Sequence, residues 1–208
     1  MYEAVRAFVT SVKLTQCRVF NTPRLVFLCG GAVRRDSRQY KSARDYFHRY
    51  LGKNHQALVE RVRLAEVVNN WFDKDVFSDL LELEEYIADL ADLIVLFVES
   101  PGSCAELGAF ATADQLRSKT LAVVNSGFKK SGSFIADGPL RRLAKQNSVL
   151  YFDWNPTKIN GRESLEALLD MSEELVQFLK ERERKAVTEE QLNSKSHAHM
   201  MLLIADLR

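Results

Sequence analysis

The residues Leu93-Ile-Val-Leu-Phe-Val98 form an apolar run that contains neither Gly nor Pro. A run of this kind predicts a strand that is buried on both faces of a parallel sheet. Ser100-Pro-Gly-Ser103 follows as a tight turn, and the residues after it predict a helix. The order of strand, turn and helix is typical of α/β folds, in which ligands bind beyond the carboxyl ends of the strands.

Further strands and helices alternate along the chain. The predicted strands besides Leu93–Val98 are Arg24–Cys29, Thr120–Val124, Ser148–Phe152 and, with a helix as an almost equal alternative, Arg61–Val68. The predicted helices are Ser42–Leu51 with Ser42 as its cap, an amphipathic helix over Asp75–Ala91, a basic helix after Gly138-Pro139, and a long helix from Glu163. This alternation predicts an α/β fold with a three-layer, doubly wound, Rossmann-like parallel sheet and C-terminal helices.

The pattern divides the chain into three parts. Residues 1–22 are expected to be an N-terminal helical extension, residues 23–158 the α/β domain, and residues 159–208 C-terminal helices. The charged run Lys180–Lys185 suits a solvated helix end or a hinge. Residues 187–208 start with a sequence like a capping box and are expected to begin a further helical module.

Composition restricts the class of protein. The formal net charge is +1, so the whole chain carries no general signal for nucleic-acid binding. The three cysteines form no CxxC pair and no spacing with histidine that suggests zinc. No signal peptide or membrane-spanning run is present in the sequence. These features predict a cytoplasmic protein without a structural metal, a disulfide framework or a membrane anchor.

Glu106 is the main candidate for chemistry. If Ser103 caps the helix, Glu106 falls near the third helical position, where a carboxylate is kept ionised by the positive helix end. Gly108 and Ala109 are expected to leave room beside it. A carboxylate placed in this way can attack or shield the anomeric carbon of a nucleoside whose base departs. The alternative is a capping box between Ser103 and Glu106 with no role in chemistry.

The residues at two strand ends are candidates for binding a substrate. Gly30 and Gly31 either let a ligand approach the backbone or form a tight turn, and Cys29 precedes them on the same predicted wall. Glu99 suits either a ribose hydroxyl or a capping role. The candidate contacts to phosphate or ribose in the turn are Ser100, Gly102 and Ser103.

Two basic stretches have both a functional and a structural interpretation. Arg34, Arg35 and Arg38, and separately Arg141–Lys145, suit contacts with phosphate or nucleic acid, or else a solvated surface. The tryptophans, Trp71 and Trp154, are expected to serve in packing.

Three ordered blocks resemble the effector proteins of bacterial retron anti-phage systems, which carry a nucleoside 2-deoxyribosyltransferase-like domain. The blocks are Phe27-Leu-Cys-Gly-Gly31, Ile94-Val-Leu-Phe-Val-Glu-Ser-Pro-Gly-Ser103-x-x-Glu106-Leu-Gly-Ala-Phe110 and Ser133-Phe-Ile-x-x-Gly138-Pro139. The resemblance spans residues 24 to about 145. In the deoxyribosyltransferases the glutamate of the matching block is the covalent nucleophile, a role that the resemblance transfers to Glu106. The matching turn of the deoxyribosyltransferases carries an acidic residue before Gly-Thr, whereas this chain has Ser-Pro-Gly-Ser. This difference concerns transferase activity more than cleavage of the glycosidic bond.

The resemblance implies a toxic effector that cleaves the N-glycosidic bond of NAD or a related nucleotide, with no further cofactor. It implies two partners, a retron reverse transcriptase and its multicopy single-stranded DNA with the non-coding RNA, which hold the effector inactive until phage infection. Release then causes abortive infection, as in a toxin–antitoxin pair. The deoxyribosyltransferases form their sites at subunit contacts, so a homo-oligomer or a higher-order assembly is expected. Retron effectors of this type carry a C-terminal winged-helix-like part, and the resemblance implies that residues 159–208 include the start of such a module. The alternative function is a nucleotide-sensing or structural subunit of the same complex that performs no turnover.

Overall fold

The computed structural model describes residues 25–34, 36–66, 88, 91–129 and 132–183 of the 208-residue chain. By its internal contacts the chain divides into two units, Arg24–Lys180 and a second unit of residues 1–23 and 181–208. The first unit holds the whole sheet. The predicted N-terminal helix, the predicted helix over Asp75–Ala91 and the predicted module at residues 187–208 lie outside the described residues, apart from isolated positions, and the three-part domain division stays a prediction.

The sheet has five parallel strands in the order β2-β1-β3-β4-β5. The strands are β1 (Val26–Cys29), β2 (Val62–Leu64), β3 (Leu93–Val98), β4 (Thr120–Asn125) and β5 (Val149–Phe152). In register, Leu28 lies beside Leu64 on one side and Val95 on the other. The central strand β3 is buried along its full length, as its unbroken apolar sequence predicts.

Helices cover both faces of the sheet. In chain order they are α1 (Ala43–Asn54), α2 (Gln56–Val59), α3 (Pro101–Thr112), α4 (Asp114–Lys119), α5 (Arg141–Ala144) and α6 (Arg162–Glu183), with a π-helix at Ala136–Leu140. Phe47 of α1, Met171 of α6 and Trp154 share one core with alternate residues of the strands. Helix α3 packs on β3 and β4, and α5 packs on β4. The predicted three-layer, doubly wound fold is therefore confirmed.

Several predicted elements have different bounds in the structure. The segment from Arg61 forms a strand only over Val62–Leu64. The helix after Ser100 is interrupted at Ala113, where an extended residue separates α3 from α4. The basic helix after Pro139 is short, because a π-helix precedes it and it ends at Ala144. The Ser42 cap is confirmed, since its side chain accepts a hydrogen bond from the Asp45 backbone N–H.

Gly30 is required where β1 leaves the sheet. Its φ of +135° is a conformation that side-chain-bearing residues rarely adopt. A Cβ atom there would lie 2.7 Å from both the Cβ and the carbonyl oxygen of Phe97. The backbones of β1 and β3 therefore approach closely at their carboxyl ends, and only glycine allows it.

We expect Gly30→Ala to lower the free energy of unfolding by about 2–4 kcal/mol, because it adds backbone strain to a steric clash with β3. Urea unfolding followed by circular dichroism measures the change. Gly52→Ala is the matched control: Gly52 lies within α1 with no atom within 4 Å of an added Cβ. The Gly52→Ala substitution is expected to raise the free energy of unfolding by about 0.5–1 kcal/mol. Equal effects of the two substitutions would contradict the close approach of the strands.

Candidate functional site

The candidate site lies where the direction of the sheet winding reverses. Neighbouring strands β1 and β3 lead into helices that cover opposite faces of the sheet, α1 and α3. In doubly wound sheets this reversal opens a crevice at the carboxyl ends of the two strands, where ligands bind. Gly30 and Gly31 follow β1, and Glu99 and Ser100 follow β3. The structure thus brings the predicted residues of both strands to one edge.

Glu99 binds the N-terminus of α1. Its Oε1 accepts hydrogen bonds from the backbone N–H groups of Gly31 at 3.2 Å and Arg44 at 3.1 Å, and its Oε2 accepts one from Ala43 at 2.8 Å. The next N–H, that of Asp45, is bonded to Ser42 Oγ. Because Glu99 and Ser42 satisfy the first three N–H groups of α1, this helix end already holds an internal carboxylate in the place of an external anion.

The pKa of Glu99 is raised, mainly because burial disfavours its charged form. The three backbone N–H groups and the nearby Arg44 lower the same pKa and so oppose part of the burial effect. The capping alternative for Glu99 is therefore present in the structure. Its contact with a ribose hydroxyl stays a prediction.

Ser100, and not Ser103, caps α3. The Ser100 side chain accepts a hydrogen bond from the Ser103 backbone N–H, and the Ser103 hydroxyl accepts one in return from the Ser100 backbone N–H. The prediction that Ser103 is the N-cap is therefore wrong. Proline is favoured at the first helical position, so the Ser100-Pro101 pair carried the signal for an earlier start.

The Ser103 hydroxyl is fully engaged within the turn. It accepts from the backbone N–H groups of Glu99 at 3.0 Å and Ser100 at 2.9 Å, and it donates to the Ser100 carbonyl at 2.8 Å. A hydroxyl offers one donor and two acceptor positions, so no position is left for a ligand. Pro101 has no N–H, and that of Ser103 is bonded to Ser100. In the first turn of α3, Gly102 alone therefore offers its backbone N–H to a ligand.

Glu106 lies in the second turn of α3. With Ser100 as the cap, Glu106 is the sixth helical residue, and the first turn holds no acidic residue. The predicted place near the third position and the Ser103–Glu106 capping box are both wrong. Glu106 is half-buried, and its Oε2 is shielded from solvent. The backbone of Glu106 therefore lies about 8 Å along the helix from that of Pro101, at 1.5 Å per residue, which is past the first turn, where the helix-end charge acts most strongly.

Small residues flank Glu106 on the outer face of α3. Gly102 precedes it by four residues and Ala109 follows it by three, so both lie on its side of the helix. An added Cβ at Gly102 would meet only Ser100 Oγ, at 3.9 Å. Gly108 lies about 160° around the axis from Glu106, at 100° per residue, so the expectation that it leaves room beside the carboxylate is wrong. The space lies toward Gly102.

The third block of the sequence pattern packs beside Glu106's helix. The π-helix Ala136–Leu140 contacts α3 and contains Gly138 and the buried Pro139. Single π-helical turns are frequent at functional sites. Phe134, just before the π-helix, is 87% exposed. Two of the three blocks are thus joined by direct packing on one face of the sheet.

Cys29 and Gly31, which were also predicted to contact a substrate, are buried within the protein. Cys29 is fully buried in β1. Gly31 is also buried, and a Cβ there would lie 2.8 Å from both Glu99 Oε1 and Ser42 Cβ. The tight-turn alternative for this pair is therefore present, and ligand contact stays a prediction. Burial also raises the pKa of the Cys104 thiol, which makes it a weaker nucleophile at neutral pH.

Two buried charged residues of α1 were missed by the sequence interpretation. The Arg44 side chain is 1% exposed; it donates to the Leu28 carbonyl and pairs with Glu66. Asp45 is fully buried, accepts from the Lys41 backbone N–H at 2.9 Å and forms a two-point pair with Arg49. The Arg44–Glu66 pair depends on how the chain folds, whereas Asp45 and Arg49 stand four residues apart on one helix, a spacing that the sequence shows. Charged residues in a helix usually face solvent, so the burial of Arg44 and Asp45 carries no signal in the sequence.

Arg49 also fixes the basic loop after β1. It donates to the backbone carbonyls of Arg34 and Ser37 and lies over the Tyr40 ring, 5.2 Å from the centroid. Tyr40 exchanges two hydrogen bonds with the Asn160 side chain, its N–H donating at 2.8 Å and its carbonyl accepting at 3.0 Å. The loop after β1 is therefore joined to the loop after β5 at the ligand edge.

The part of the chain that the structure describes holds neither a cluster of metal ligands nor a membrane-spanning helix. No group of three or more His, Cys, Asp or Glu side chains in the described part of the chain could hold a metal ion. No helix within those residues is long and apolar enough to cross a bilayer.

An α/β protein with a carboxylate-bearing helix at its sheet reversal is the class that this fold and site define. Residues 40–208 match the model of the family described as STM3845 retron effector protein. The match covers most of the chain, and the chain belongs to this retron effector family.

Two curated relatives from Escherichia coli are similar to this chain. One, named as a candidate ribosyltransferase/DNA-binding protein of retron Ec86, is 36% identical over 132 residues, which is 59% of this chain and 38% of that protein. The other carries the same description for retron Ec73 and is 34% identical over 149 residues, which is 70% of this chain and 46% of that protein. The chain thus spans less than half the length of these relatives.

We expect Glu99→Gln to lower the free energy of unfolding by about 1–3 kcal/mol, because an amide NH₂ placed among three backbone donors leaves at least one of them unpaired. Glu174→Gln, on the exposed face of α6, is the control and should change stability by less than about 0.5 kcal/mol. Urea unfolding at pH 7 measures both. A loss no larger than that of the control would mean that Glu99 does not hold α1.

Proposed function

We propose that this chain is the toxic part of a retron anti-phage system and cleaves the N-glycosidic bond of NAD or a related nucleotide. Glu106 acts as the nucleophile at the anomeric carbon or stabilises the oxocarbenium-like transition state. The proposal is supported by membership of the retron effector family and by the two relatives named as candidate ribosyltransferases.

The observation that carries the proposal is the surroundings of Glu106. Its carboxylate is half-buried on the helix that starts at the end of the central strand, and the same helix face is open at Gly102. Partial burial reduces the hydration of a carboxylate and strengthens its interaction with a developing positive charge. An open glycine face next to that carboxylate provides space for a sugar ring.

The reaction uses groups that the site and solvent can supply. The Glu106 carboxylate forms a bond to C1′ as the bond from C1′ to the base nitrogen breaks. In NAD this nitrogen carries a positive charge, so nicotinamide leaves neutral and needs no proton. Water then attacks C1′, the bond to Glu106 breaks, and one proton is released to solvent. The Gly102 N–H supports a ribose or phosphate oxygen of the substrate.

The N-terminus of α1 is not available to the phosphates of the substrate. Glu99 fills that position, and a second anion beside it would be repelled. The diphosphate is instead proposed to extend from Gly102 toward the basic loop after β1, in which Arg34 and Arg38 are exposed.

Retron membership also supports a proposal for partners and setting. The effector acts in the cytoplasm, is held inactive by the retron reverse transcriptase and multicopy single-stranded DNA, and kills the infected cell by depleting nucleotide after release. It assembles with further copies of itself in that complex. A binding subunit without turnover is the competing function, and a measurement of base release separates the two.

Glu106→Gln is expected to lower the rate of base release from NAD at least about 10³-fold, because a neutral amide cannot serve as the nucleophile. The measurement is chromatography of nicotinamide and of bases from a panel of nucleotides, with the protein alone and together with its reverse transcriptase and DNA. Glu174→Gln is the control and should keep full activity.

Full activity of a folded Glu106→Gln protein would refute the role of Glu106. Saturable nucleotide binding by the wild type without base release, even with both partners present, would refute the enzyme and favour the sensor.

A pair of glycine variants tests on which side of Glu106 the substrate lies. Gly102→Ala and Gly108→Ala both replace glycine within α3 where an added Cβ meets no atom closer than 3.9 Å, so each should leave stability unchanged or raise it by up to about 1 kcal/mol. Only Gly102→Ala should raise the KM for the substrate, by about tenfold or more, because its methyl group occupies the proposed sugar space. Thermal unfolding and base-release kinetics measure the two effects, and the opposite ranking of the KM values would contradict the proposed side.

A further inference from the structure

A basic hollow lies away from the candidate site. It has a volume of about 290 Å³ and is lined by Arg117, Arg142, Lys145 and Gln146. Helix α4 leads directly into β4 at Thr120, and the turn after α5 leads into β5 at Val149. Because β4 and β5 are parallel neighbours, their starts lie at one edge of the sheet. This edge is opposite to the one where Gly30 and Glu99 lie, so the basic hollow is separate from the proposed catalytic site.

Positive charge dominates the basic hollow. Arg117 is oriented by Asp114, 2.5 Å from its Nη2, and by the Ala111 carbonyl, 3.2 Å from its Nη1. Arg142 and Lys145 are exposed, and within the described residues neither side chain forms an ion pair. Three cations therefore face one carboxylate. The excess charge has no internal partner in the described part of the chain.

The turn that presents Lys145 and Gln146 is well fixed. Its backbone N–H groups at Gln146, Asn147 and Ser148 donate to carbonyls at the end of α5, at 2.9, 3.0 and 3.3 Å. Asn147 adopts a φ of 52°, the left-handed conformation that ends helices. The positions of the two side-chain stems are therefore set before any ligand arrives, which lowers the entropy cost of binding.

We infer that the basic hollow binds the phosphodiester backbone of single-stranded nucleic acid. Long Arg and Lys side chains around an open concavity are suited to follow a charged strand, and the Gln146 amide can bond a sugar or a base edge. A flexible single strand can bend into a hollow of this small volume, whereas a stiff duplex can only lie across it. This inference rests on the proposed association with retron DNA, and it is independent of catalysis at Glu106.

A structural role of the cations is the alternative. Basic residues near helix C-termini interact favourably with the helix dipole. That role predicts an effect of charge reversal on unfolding and none on nucleic-acid binding.

The test measures binding of a fluorescein-labelled single-stranded DNA of mixed sequence to the full chain by anisotropy. The double variant Arg142→Glu/Lys145→Glu is expected to weaken binding at least about tenfold. It should also reduce the slope of log K against the logarithm of the salt concentration by about one to two. Lys158→Glu/Lys180→Glu, two exposed lysines elsewhere, makes the same change in net charge and should weaken binding less than about threefold. Arg142→Gln/Lys145→Gln should give an intermediate loss, with thermal unfolding as the check on folding.

Several results would overturn the inference. These are equal losses in the hollow and control variants, equal affinity for the duplex of the same sequence, or displacement of the DNA by millimolar inorganic phosphate, which would indicate a small-anion site. The Glu106→Gln protein should bind the DNA as the wild type does. A wild type that binds no DNA but releases base would refute this inference and leave the proposed reaction standing. A wild type that binds the DNA but releases no base, even with both partners present, would refute the reaction alone.

Discussion

Three backbone N–H groups from two segments converge on the carboxylate of Glu99. This contact joins the end of the central strand to the turn after β1 and to the start of α1. The close approach at Gly30, where β1 meets Phe97, depends on the same arrangement of backbone. Burying a carboxylate is costly, and the convergence of donors at a helix N-terminus offsets much of that cost. The geometry of the crevice between the two strands therefore depends on one side chain.

The fold was predictable because its signals are local. Most strands are short, mainly apolar runs, and β3 carries only apolar residues because helices cover both of its faces. The exception is β2, which has Arg63 at its centre and whose segment predicts a helix almost equally well. Ser42 was found as a cap from its place before an amphipathic helix. The start of α3 was misplaced by three residues, since two serines compete for the cap and the preference of Pro101 for the first position decides between them. That shift moved Glu106 from the first turn to the second.

The buried polar contacts were not predictable from the pattern. Arg44 pairs with Glu66, 22 positions away in the chain, and Tyr40 pairs with Asn160, 120 positions away. Nothing in the local sequence distinguishes these side chains from solvated ones, because their partners are brought together only by the fold. The same applies to Glu99, whose two interpretations differ only in whether a backbone or a ligand supplies the donors. The two edges of the sheet, one with the carboxylates and one with the cations of the basic hollow, likewise become distinct only in three dimensions.

The π-helix at Ala136–Leu140 makes the direction of the segment before it sensitive to the loss of one residue. A π-turn is an α-helical turn with one additional residue, and Pro139, which has no N–H, fits such a wide turn because it leaves one hydrogen bond fewer to satisfy. Removal of a single residue here would restore α-helical winding and rotate the segment before the turn by about 100° relative to the segment after it. Phe134, now directed into solvent, would then point elsewhere while Leu140 kept its place in the core. The direction of this aromatic ring is thus set by the number of residues in the turn as much as by their identity.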